Sequence, residues 1–321
     1  MKVAVLTLDG VFDSGLSAVL DVLHSANALR DQLETPPPLF DIDTVGVRRR
    51  VRTGLGHVVE TTPVPPTGGL DGTDLLVLPA LAERRPDALV AGVASTEHQA
   101  ARKLLARARA ERVALASSCT GTFLLAESGV LDGRRATTSW WLAPVFRSRY
   151  PAVTVDDTRM VTTSDGITTA GAAFSHVDLA LAIVRAHSPA LADVVRRFLV
   201  IDDRPSQAAY TIPSALAAYD PLVSSFEQWV RARLADPLSI AAAARDLGVS
   251  ERTLQRAVGR TLGCSPIRFV QDLRVERARH LLSTTDLPVA TVARRVGYEN
   301  PGALRTLLRD RAGLTARSLR G

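Results

Sequence analysis

Residues 240–266 read IAAAARDLGVSERTLQRAVGRTLGCSP, and this stretch decides the fold of the last third of the chain. Small and apolar residues recur at helical spacing up to Gly248, which favours a helix that ends at this glycine. Ser250 can cap a second helix, in which Leu254 and Val258 would share the buried face. The stretch therefore predicts two helices joined by a tight glycine turn.

The second of these helices carries a polar face that suits DNA. Arg252, Gln255 and Arg256 fall on the side opposite its apolar residues. An Arg side chain can donate two hydrogen bonds to guanine, and Gln can pair with adenine in a similar way. A helix, a glycine turn and a second helix with this face form a helix-turn-helix, whose second helix enters the major groove.

The same arrangement recurs near the end of the chain, where Gly297 repeats the turn and Asn300 the cap. One glycine turn is weak evidence, because an ordinary helical bundle can contain one. Two copies joined by a long helix over about 266–282 predict a double helix-turn-helix. The residues that we predict to contact DNA are Ser250, Arg252, Thr253, Gln255, Arg256, Asn300, Gly302, Arg305, Thr306 and Arg309.

The net positive charge lies in the same part of the chain. Residues 220–321 hold 17 Arg and 10 acidic residues, whereas residues 1–219 hold 22 Lys and Arg against 23 acidic residues. Clustered Arg is typical of proteins that bind a polyanion, because each cation that meets a phosphate releases a counterion. The alternative from composition alone is a solvated basic surface.

The first two thirds alternate apolar strand-like runs with helical segments, among them one helix over 87–110. Strands buried on both faces and separated by amphipathic helices predict an α/β fold with a doubly wound, mostly parallel sheet. In such sheets, ligands and catalytic groups gather at the carboxyl ends of the strands. The predicted strands include KVAVLTL, FDIDTVGV, DLLVLP, RVALAS and GITTAGA.

The chain is long enough for two domains with separate cores. IDDRPSQAAYTIPSALAAYDP, residues 201–221, contains three prolines and separates the α/β pattern from the helical one. We therefore predict an α/β domain over 1–201, a linker over 202–219 and an all-α domain over 220–321.

The all-α part resembles the DNA-binding domain of AraC/XylS-type transcription regulators. The resemblance covers about 222–321 and rests on three elements: a G-x-S-P sequence that begins at Gly263, an R-x-x-x-A-x-x-LL run that begins at Arg274, and the segment Val292–Tyr298. It implies that the two recognition helices, which begin near Ser250 and Asn300, read successive major grooves of double-stranded DNA.

The first two hundred residues resemble the PfpI/ThiJ-like fold, which is related to class I glutamine amidotransferases. The resemblance is strongest to the version that precedes an AraC-type domain in GlxA-like regulators. It rests on CTGTFLLAESGVLDGRRATTSWW (119–141), TTAGAAFSHVDLALAIV (168–184) and RFLVIDDRPSQAAY (197–210). It implies that this domain dimerises the protein or senses an effector.

Cys119 stands where enzymes of this fold place a nucleophile, on a turn between a strand and a helix. The groups that support the nucleophile in those enzymes are replaced. Gly15 aligns with the acid, Ala80-Leu81 with a glycine pair, and Ser139 with a histidine that often follows. A thiol without a base or an acid is a poor catalyst at neutral pH. We therefore interpret Cys119 as the remnant of an active site.

Two other roles for Cys119 stay open from the sequence: packing in the core and sensing of a small molecule or an oxidant. Together the chain predicts a transcription regulator that is not an enzyme. The alternative functions are a cysteine-dependent hydrolase or amidotransferase-like enzyme, and a regulator that acts only through protein contacts. The candidate effector pocket consists of Gly15, Ala80, Cys119, Thr120 and Ser139.

The remaining sequence features argue against other function classes. Cys119 and Cys264 make neither a disulfide framework nor a metal spacing, and the histidines show no metal spacing. The chain has no glycine-rich phosphate loop, so we predict no cofactor and no metal. No apolar run approaches the roughly 18 residues of a membrane span. We expect a cytoplasmic protein, and the family resemblance implies a homodimer.

Overall fold

The computed structural model describes residues 1–64, 70–312 and 315, and the chain divides into two compact units, Met1–Gln207 and Ala208–Gly321. The segment that we predicted as a linker is shared between the units. Its end in the first unit is the fully buried Gln207, and in the second unit Pro213–Ala217 form a short helix. Residues 65–69, 313–314 and 316–321, which include the end of the predicted DNA-binding domain, lie outside the described residues.

The first unit contains the predicted parallel sheet. Among the described strands, seven form one sheet in the order β10-β11-β7-β6-β1-β2-β5, parallel except for the antiparallel pair β10 and β11. Two short strand pairs, β3 with β4 and β8 with β9, lie outside it. The strands are β1 (Lys2–Leu6), β2 (Asp41–Gly46), β3 (Arg50–Arg52), β4 (Val58–Glu60), β5 (Thr62–Pro63), β6 (Leu75–Leu78), β7 (Ala114–Ser118), β8 (Arg135–Ala136), β9 (Thr154–Val155), β10 (Val161–Ser164) and β11 (Ile167–Ala170).

Helices cover both faces of this sheet, which explains why its central strands are apolar throughout. In β1, Val3 and Val5 belong to one buried cluster, whereas Ala4 and Leu6 belong to the other. The helices of the first unit are α1 (Asp13–Leu29), α2 (Pro86–Ala94), α3 (Gln99–Ala110), α4 (Gly121–Glu127), α5 (Ala143–Arg149), α6 (His176–His187) and α7 (Pro189–Phe198). The predicted α/β, doubly wound fold is confirmed.

The single helix that we predicted over 87–110 is wrong, because α2 ends at Ala94 and α3 begins at Gln99. Ser95 has extended backbone angles, and both its N–H and its hydroxyl donate to the carbonyl of Gly92, at 3.0 and 2.7 Å. The ring of His98 also bonds this carbonyl, at 2.9 Å. These local bonds replace the helical ones and separate the two helices.

The described residues of the second unit form helices, as the sequence predicts. Phe226 packs near Phe269, with ring centroids 6.0 Å apart, in the core around the first helix-turn-helix. A second apolar cluster joins the last three helices through residues such as Leu282, Val292 and Leu304. The helices are α8 (Pro213–Ala217), α9 (Pro221–Arg231), α10 (Ile240–Asp246), α11 (Glu251–Leu262), α12 (Pro266–Thr284), α13 (Val289–Arg295) and α14 (Pro301–Ala312).

Across the described residues of both units, none of the helices combines the length and the apolar composition that crossing a membrane requires.

Candidate functional site

The first recognition helix of the second unit is α11, and its polar face is open to solvent. Leu254 and Val258 are buried against the neighbouring helices, whereas Arg252, Gln255 and Arg256 are exposed. Gly248 precedes the helix with a φ of +69°, a left-handed angle that glycine adopts without strain. The turn therefore fixes the direction in which α11 leaves α10.

Ser250 and Thr253 form hydrogen bonds that cap the start of α11. The hydroxyl of Ser250 accepts a hydrogen bond from the N–H of Thr253 at 3.1 Å, and the two hydroxyls lie 2.8 Å apart. This bond satisfies one of the backbone donors that a helix leaves unpaired at its beginning. Ser250 is exposed and Thr253 is partly exposed at this end of the helix.

The second recognition helix is α14, which like α11 begins at a polar cap, here Asn300, and has one buried and one exposed face. The Asn300 side-chain oxygen accepts from the N–H of Gly302 at 2.7 Å. Leu304 and Leu308 are buried, and the opposite face is exposed. Arg309 lies 3.4 Å from the neighbouring Asp310, in a pair that is open to solvent on both sides. The exposed residues of this face include Arg305, Thr306 and Arg309.

The turn before α14 is held by an arginine of the connecting helix α12. Arg274 donates to the carbonyl of Asp236 at 3.0 Å and lies over the ring of Tyr298, 5.1 Å from its centroid. Gly297 adopts a φ of +81°, and a Cβ there would be 2.5 Å from Arg274. The glycine therefore provides both the left-handed angle and the room for this side chain.

An ion pair between Arg260 and Asp220 connects the end of α11 to the start of α9. Asp220 caps α9 through the N–H groups of Leu222 and Val223, and its other oxygen accepts from Arg260 at 2.8 Å. Burial opposes the ionisation of Asp220, but its hydrogen bonds and Arg260 outweigh this and lower its pKa. The bond from Arg260 thus fixes the end of α11 against the start of α9.

In the first unit, Cys119 lies on a sharp turn between β7 and α4. Its φ of +54° is left-handed, which is uncommon for a residue other than glycine. Gly121 permits the turn, because a Cβ there would lie 2.4 Å from the Ser117 hydroxyl and 3.0 Å from the Pro79 carbonyl. Such strained turns are characteristic of sites where a fold presents a functional side chain.

The thiol of Cys119 is kept neutral. Its side chain is 5% exposed, and burial raises its pKa, although hydrogen bonds from Ser139 and Thr120 partly oppose this. The hydroxyl of Ser139 donates to the sulfur at 2.9 Å. A neutral, buried thiol is a weak nucleophile.

Backbone N–H groups beside the thiol are engaged with the protein itself. The N–H of Ala80 donates to His176 at 3.1 Å, that of Leu81 to the Thr120 hydroxyl at 2.8 Å, and that of Ala82 to the carbonyl of Gly10 at 2.7 Å. Thr120 also donates to the Leu81 carbonyl at 2.7 Å. Three successive amides that could stabilise an oxyanion are therefore already paired.

His176, which the sequence analysis did not assign to this site, fills the space above Gly15. A Cβ at Gly15 would be 2.5 Å from Nε2 of this ring. Nε2 accepts from the N–H of Ala80, so Nδ1 carries the proton and donates to the Ala173 carbonyl at 3.0 Å. Burial lowers the pKa of His176 to about 4. The ring is therefore neutral and structural at pH 7.

Asp13, the carboxylate nearest to Gly15 in sequence, faces away from the thiol. It bonds the ring of His57 at 2.8 Å and accepts from the N–H of Leu55 at 3.0 Å. Burial raises the pKa of Asp13, but the hydrogen bonds of Thr53, His57 and Leu55 prevail and lower it.

A cavity of about 290 Å³ opens beside the thiol. Of the predicted pocket residues, Ala80, Cys119 and Thr120 line it. Gly15 and Ser139 do not: Gly15 lies beneath the ring of His176, and Ser139 lies behind the sulfur. Sequence reasoning missed most of the wall, since its residues come from five separate segments. The full lining is Phe12, Ala80, Leu81, Ala82, Glu83, Arg84, Cys119, Thr120, Trp141, Ala173 and Phe174.

Sequence reasoning also missed Gln207. Its side chain accepts from the Trp140 N–H at 3.1 Å and donates to the Thr138 carbonyl at 2.9 Å and the Arg159 carbonyl at 3.2 Å. A Cβ at Gly171 would lie 2.2 Å from it. The last residue of the first unit therefore holds the segment that carries Ser139 and Trp141. A polar residue in a proline-containing stretch gives no local signal for this role.

Comparisons with known proteins agree with this geometry. A family model described as a helix-turn-helix domain matches residues 243–321. The chain is 34% identical over 194 residues to the HTH-type transcriptional regulator CdhR of Pseudomonas aeruginosa, which covers 59% of this chain and 57% of that protein. It is 26% identical over 210 residues to the HTH-type transcriptional regulator GlxA of Rhizobium meliloti, 63% of each chain. The chain thus spans less than two thirds of the length of these relatives.

Solved structures identify the fold of the first unit. An AraC family transcriptional regulator from Pseudomonas putida superposes with a TM-score of 0.51 at 22% identity, over 62% of this chain and 98% of that one. Drosophila melanogaster DJ-1beta superposes with a TM-score of 0.50 at 16% identity, over 63% and 98% of the chains. The predicted fold of the first unit and the predicted helix-turn-helix domain are both confirmed, and the curated relatives named above are transcription regulators.

Proposed function

We propose that this protein is a sequence-specific, DNA-binding transcription regulator that works as a homodimer in the cytoplasm. The observation that carries the proposal is the pair of capped helices, α11 and α14, each with a buried apolar face and an exposed polar face. The homologous regulators support it. The homodimer rests on the family resemblance, and a symmetric dimer would double the length of DNA that is read.

The two recognition helices divide the reading of DNA between them. Arg252, Gln255, Arg256 and Arg305 are our candidates for contacts with base edges, because they combine exposure with the donors that guanine and adenine accept. Ser250, Thr253, Asn300, Gly302, Thr306 and Arg309 are the candidates for contacts that position the helices, mostly on phosphate. Helices that enter successive major grooves read sites about 34 Å apart.

For the first unit we propose sensing of a small-molecule effector rather than catalysis. The thiol is neutral, the amides beside it are paired, and His176 is neutral with both ring nitrogens engaged. The cavity is nevertheless retained next to Cys119. A cavity without catalytic groups suits binding, and the fold alone would not decide this, since function lies in sites.

The test of DNA recognition is selection of bound fragments from genomic DNA by the full-length protein at two salt concentrations. We expect a recurrent motif that survives the higher salt. On that motif, Arg252→Ala should weaken binding by about 1–3 kcal/mol and relax the preference at one base pair. Arg277→Gln, which removes an exposed arginine from α12, is the matched control and should leave the preference unchanged.

Uniform loss of binding at the higher salt, with no motif, would contradict specific recognition, because phosphate contacts alone depend on salt in this way.

The variant Cys119→Ala tests whether the protein is a regulator or a cysteine-dependent enzyme. We expect this variant to bind the selected DNA as the parent does. A hydrolase or amidotransferase-like activity that disappears with the thiol would instead support the enzymatic alternative.

A further inference from the structure

The cavity beside Cys119 has walls that are mainly apolar. Phe12, Trp141 and Phe174 contribute aromatic rings from three different segments. The rings of Phe12 and Phe174 meet edge to face, with centroids 6.3 Å apart, and Phe174 is 61% exposed. An exposed aromatic ring at the opening of a cavity offers apolar surface that a ligand can cover.

The polar groups within the wall are satisfied by the protein itself. The amides of Ala80, Leu81 and Ala82 are paired as described above, and the N–H of Phe12 donates to the Ala80 carbonyl at 2.7 Å. The N–H of Cys119 donates to the Ala170 carbonyl at 2.8 Å. A ligand with many hydroxyl or amide groups would lose its bonds to water here without equivalent partners. The interior therefore favours an apolar ligand body.

Two charged residues, Glu83 and Arg84, belong to the cavity lining, and they differ in what they already bind. The Glu83 carboxylate accepts from the N–H of Arg85 at 2.8 Å and lies 3.6 Å from the Arg85 guanidinium. Arg84 is exposed, and within the described residues its guanidinium has neither a hydrogen bond nor an ion pair. Among the described residues of the lining, the cation is thus available, whereas the anion is occupied.

We propose that the cavity binds a small hydrophobic carboxylate, with its ring or chain among Phe12, Trp141 and Phe174 and its carboxylate on Arg84. This deepens the effector role and rests on the proposed function. A guanidinium forms two parallel hydrogen bonds with a carboxylate, which gives direction as well as affinity. The volume of about 290 Å³ lies at the lower end for small-molecule pockets, so the ligand is compact.

The neutral thiol is consistent with an anionic ligand. A thiolate at Cys119 would repel a carboxylate bound beside it, whereas a buried neutral thiol held by Ser139 does not. The same argument disfavours a cationic ligand, because Arg84 would repel it and Glu83 is already engaged with Arg85.

The probe for this proposal is phenylacetate, titrated into the full-length protein by calorimetry, with phenethylamine and phenylacetamide as comparators of the same shape. We expect phenylacetate to bind and each comparator to bind at least about tenfold more weakly, since both lack the charge that pairs with Arg84. Arg84→Gln should weaken the binding of phenylacetate about tenfold. Trp141→Ala should weaken the binding of all three compounds, because it removes apolar surface that each of them would contact.

Arg197→Gln is the matched control: it removes an exposed arginine of α7, whose side chain does not line the cavity and does not pair with Glu83. Equal effects of Arg84→Gln and Arg197→Gln, tighter binding of phenethylamine, or no binding of phenylacetate would each overturn the proposal. The titration uses no DNA, so its failure leaves the fragment-selection result intact. Conversely, phenylacetate binding to a protein that selects no DNA motif would preserve this site and refute the regulator.

Discussion

At the scale of single residues, positions that the resemblance to enzymes of this fold assigns to catalytic support hold groups that pack or bond within the protein. The space above Gly15 is filled by the His176 ring, and the amide of Leu81 is paired with Thr120. The His176 ring accepts from the N–H of Ala80 and the Thr120 hydroxyl accepts from that of Leu81, so both contacts lie within the fold. These contacts support the proposed sensing role of the first unit.

His176 makes the stability of the first unit depend on pH. Its pKa is about 4 in the folded protein, against 6.5 when unperturbed, so the unfolded chain takes up the proton first as pH falls. The contribution of neutral His176 to the free energy of unfolding is complete above pH 6.5. It is lost progressively as the pH falls to 4, by about 3 kcal/mol in all. Urea unfolding at several pH values measures it.

His176→Gln is the control for this pH dependence, because its side-chain oxygen can accept from Ala80 but does not titrate. We expect this variant to be less stable at pH 7 and to lose less stability between pH 6.5 and 4 than the parent does. The same loss in parent and variant would show that other groups produce the acid sensitivity.

Within the predicted linker, Gln207 should be the polar side chain whose removal lowers the stability of the protein most. Gln207→Ala leaves the Trp140 N–H and the Thr138 carbonyl buried without their partner. We expect a loss of about 2–4 kcal/mol in the free energy of unfolding. Gln255→Ala, at an exposed position of α11, is the comparison and should change stability by less than about 0.5 kcal/mol.

At the scale of elements, two helical glycines should respond to alanine in opposite directions. Gly259 lies in α11 with open space around the position of a Cβ, so Gly259→Ala should stabilise by about 0.5–1 kcal/mol. Gly121 lies at the start of α4, where a Cβ would meet Ser117 at 2.4 Å, so Gly121→Ala should destabilise. Denaturant unfolding measures both, and stabilisation by Gly121→Ala would refute the close packing beneath Cys119.

The elements also show what the sequence can and cannot predict. Apolar strands and the turns at Gly248 and Gly297 are encoded by neighbouring residues, and they were predicted. The break after Ala94 was not, since Ser95 and His98 compete for one carbonyl in a segment of good helix formers. His176 and Gln207 act on partners that are distant in the chain, so no local pattern reveals them.

At the scale of the whole molecule, the two units have separate cores, and we expect them to unfold separately. The first unit is held by two clusters around its sheet, whereas the second depends on contacts among helices such as those of Leu304. Chains with two cores often depart from two-state unfolding. We therefore expect two calorimetric transitions, one that Gly121→Ala lowers and one that Leu304→Ala lowers.

Ligands should also distinguish the two transitions, because each ligand stabilises only the unit that binds it, whereas the variants destabilise. A ligand that binds only the folded form stabilises it by RT ln(1 + [L]/Kd), so the stabilisation grows with the logarithm of the ligand concentration. The selected DNA fragment should therefore raise the transition that Leu304→Ala lowers, and phenylacetate should raise the one that Gly121→Ala lowers. A single transition that all four changes shift together would show that the units fold as one. In that case binding at either site would be coupled to the stability of the whole chain.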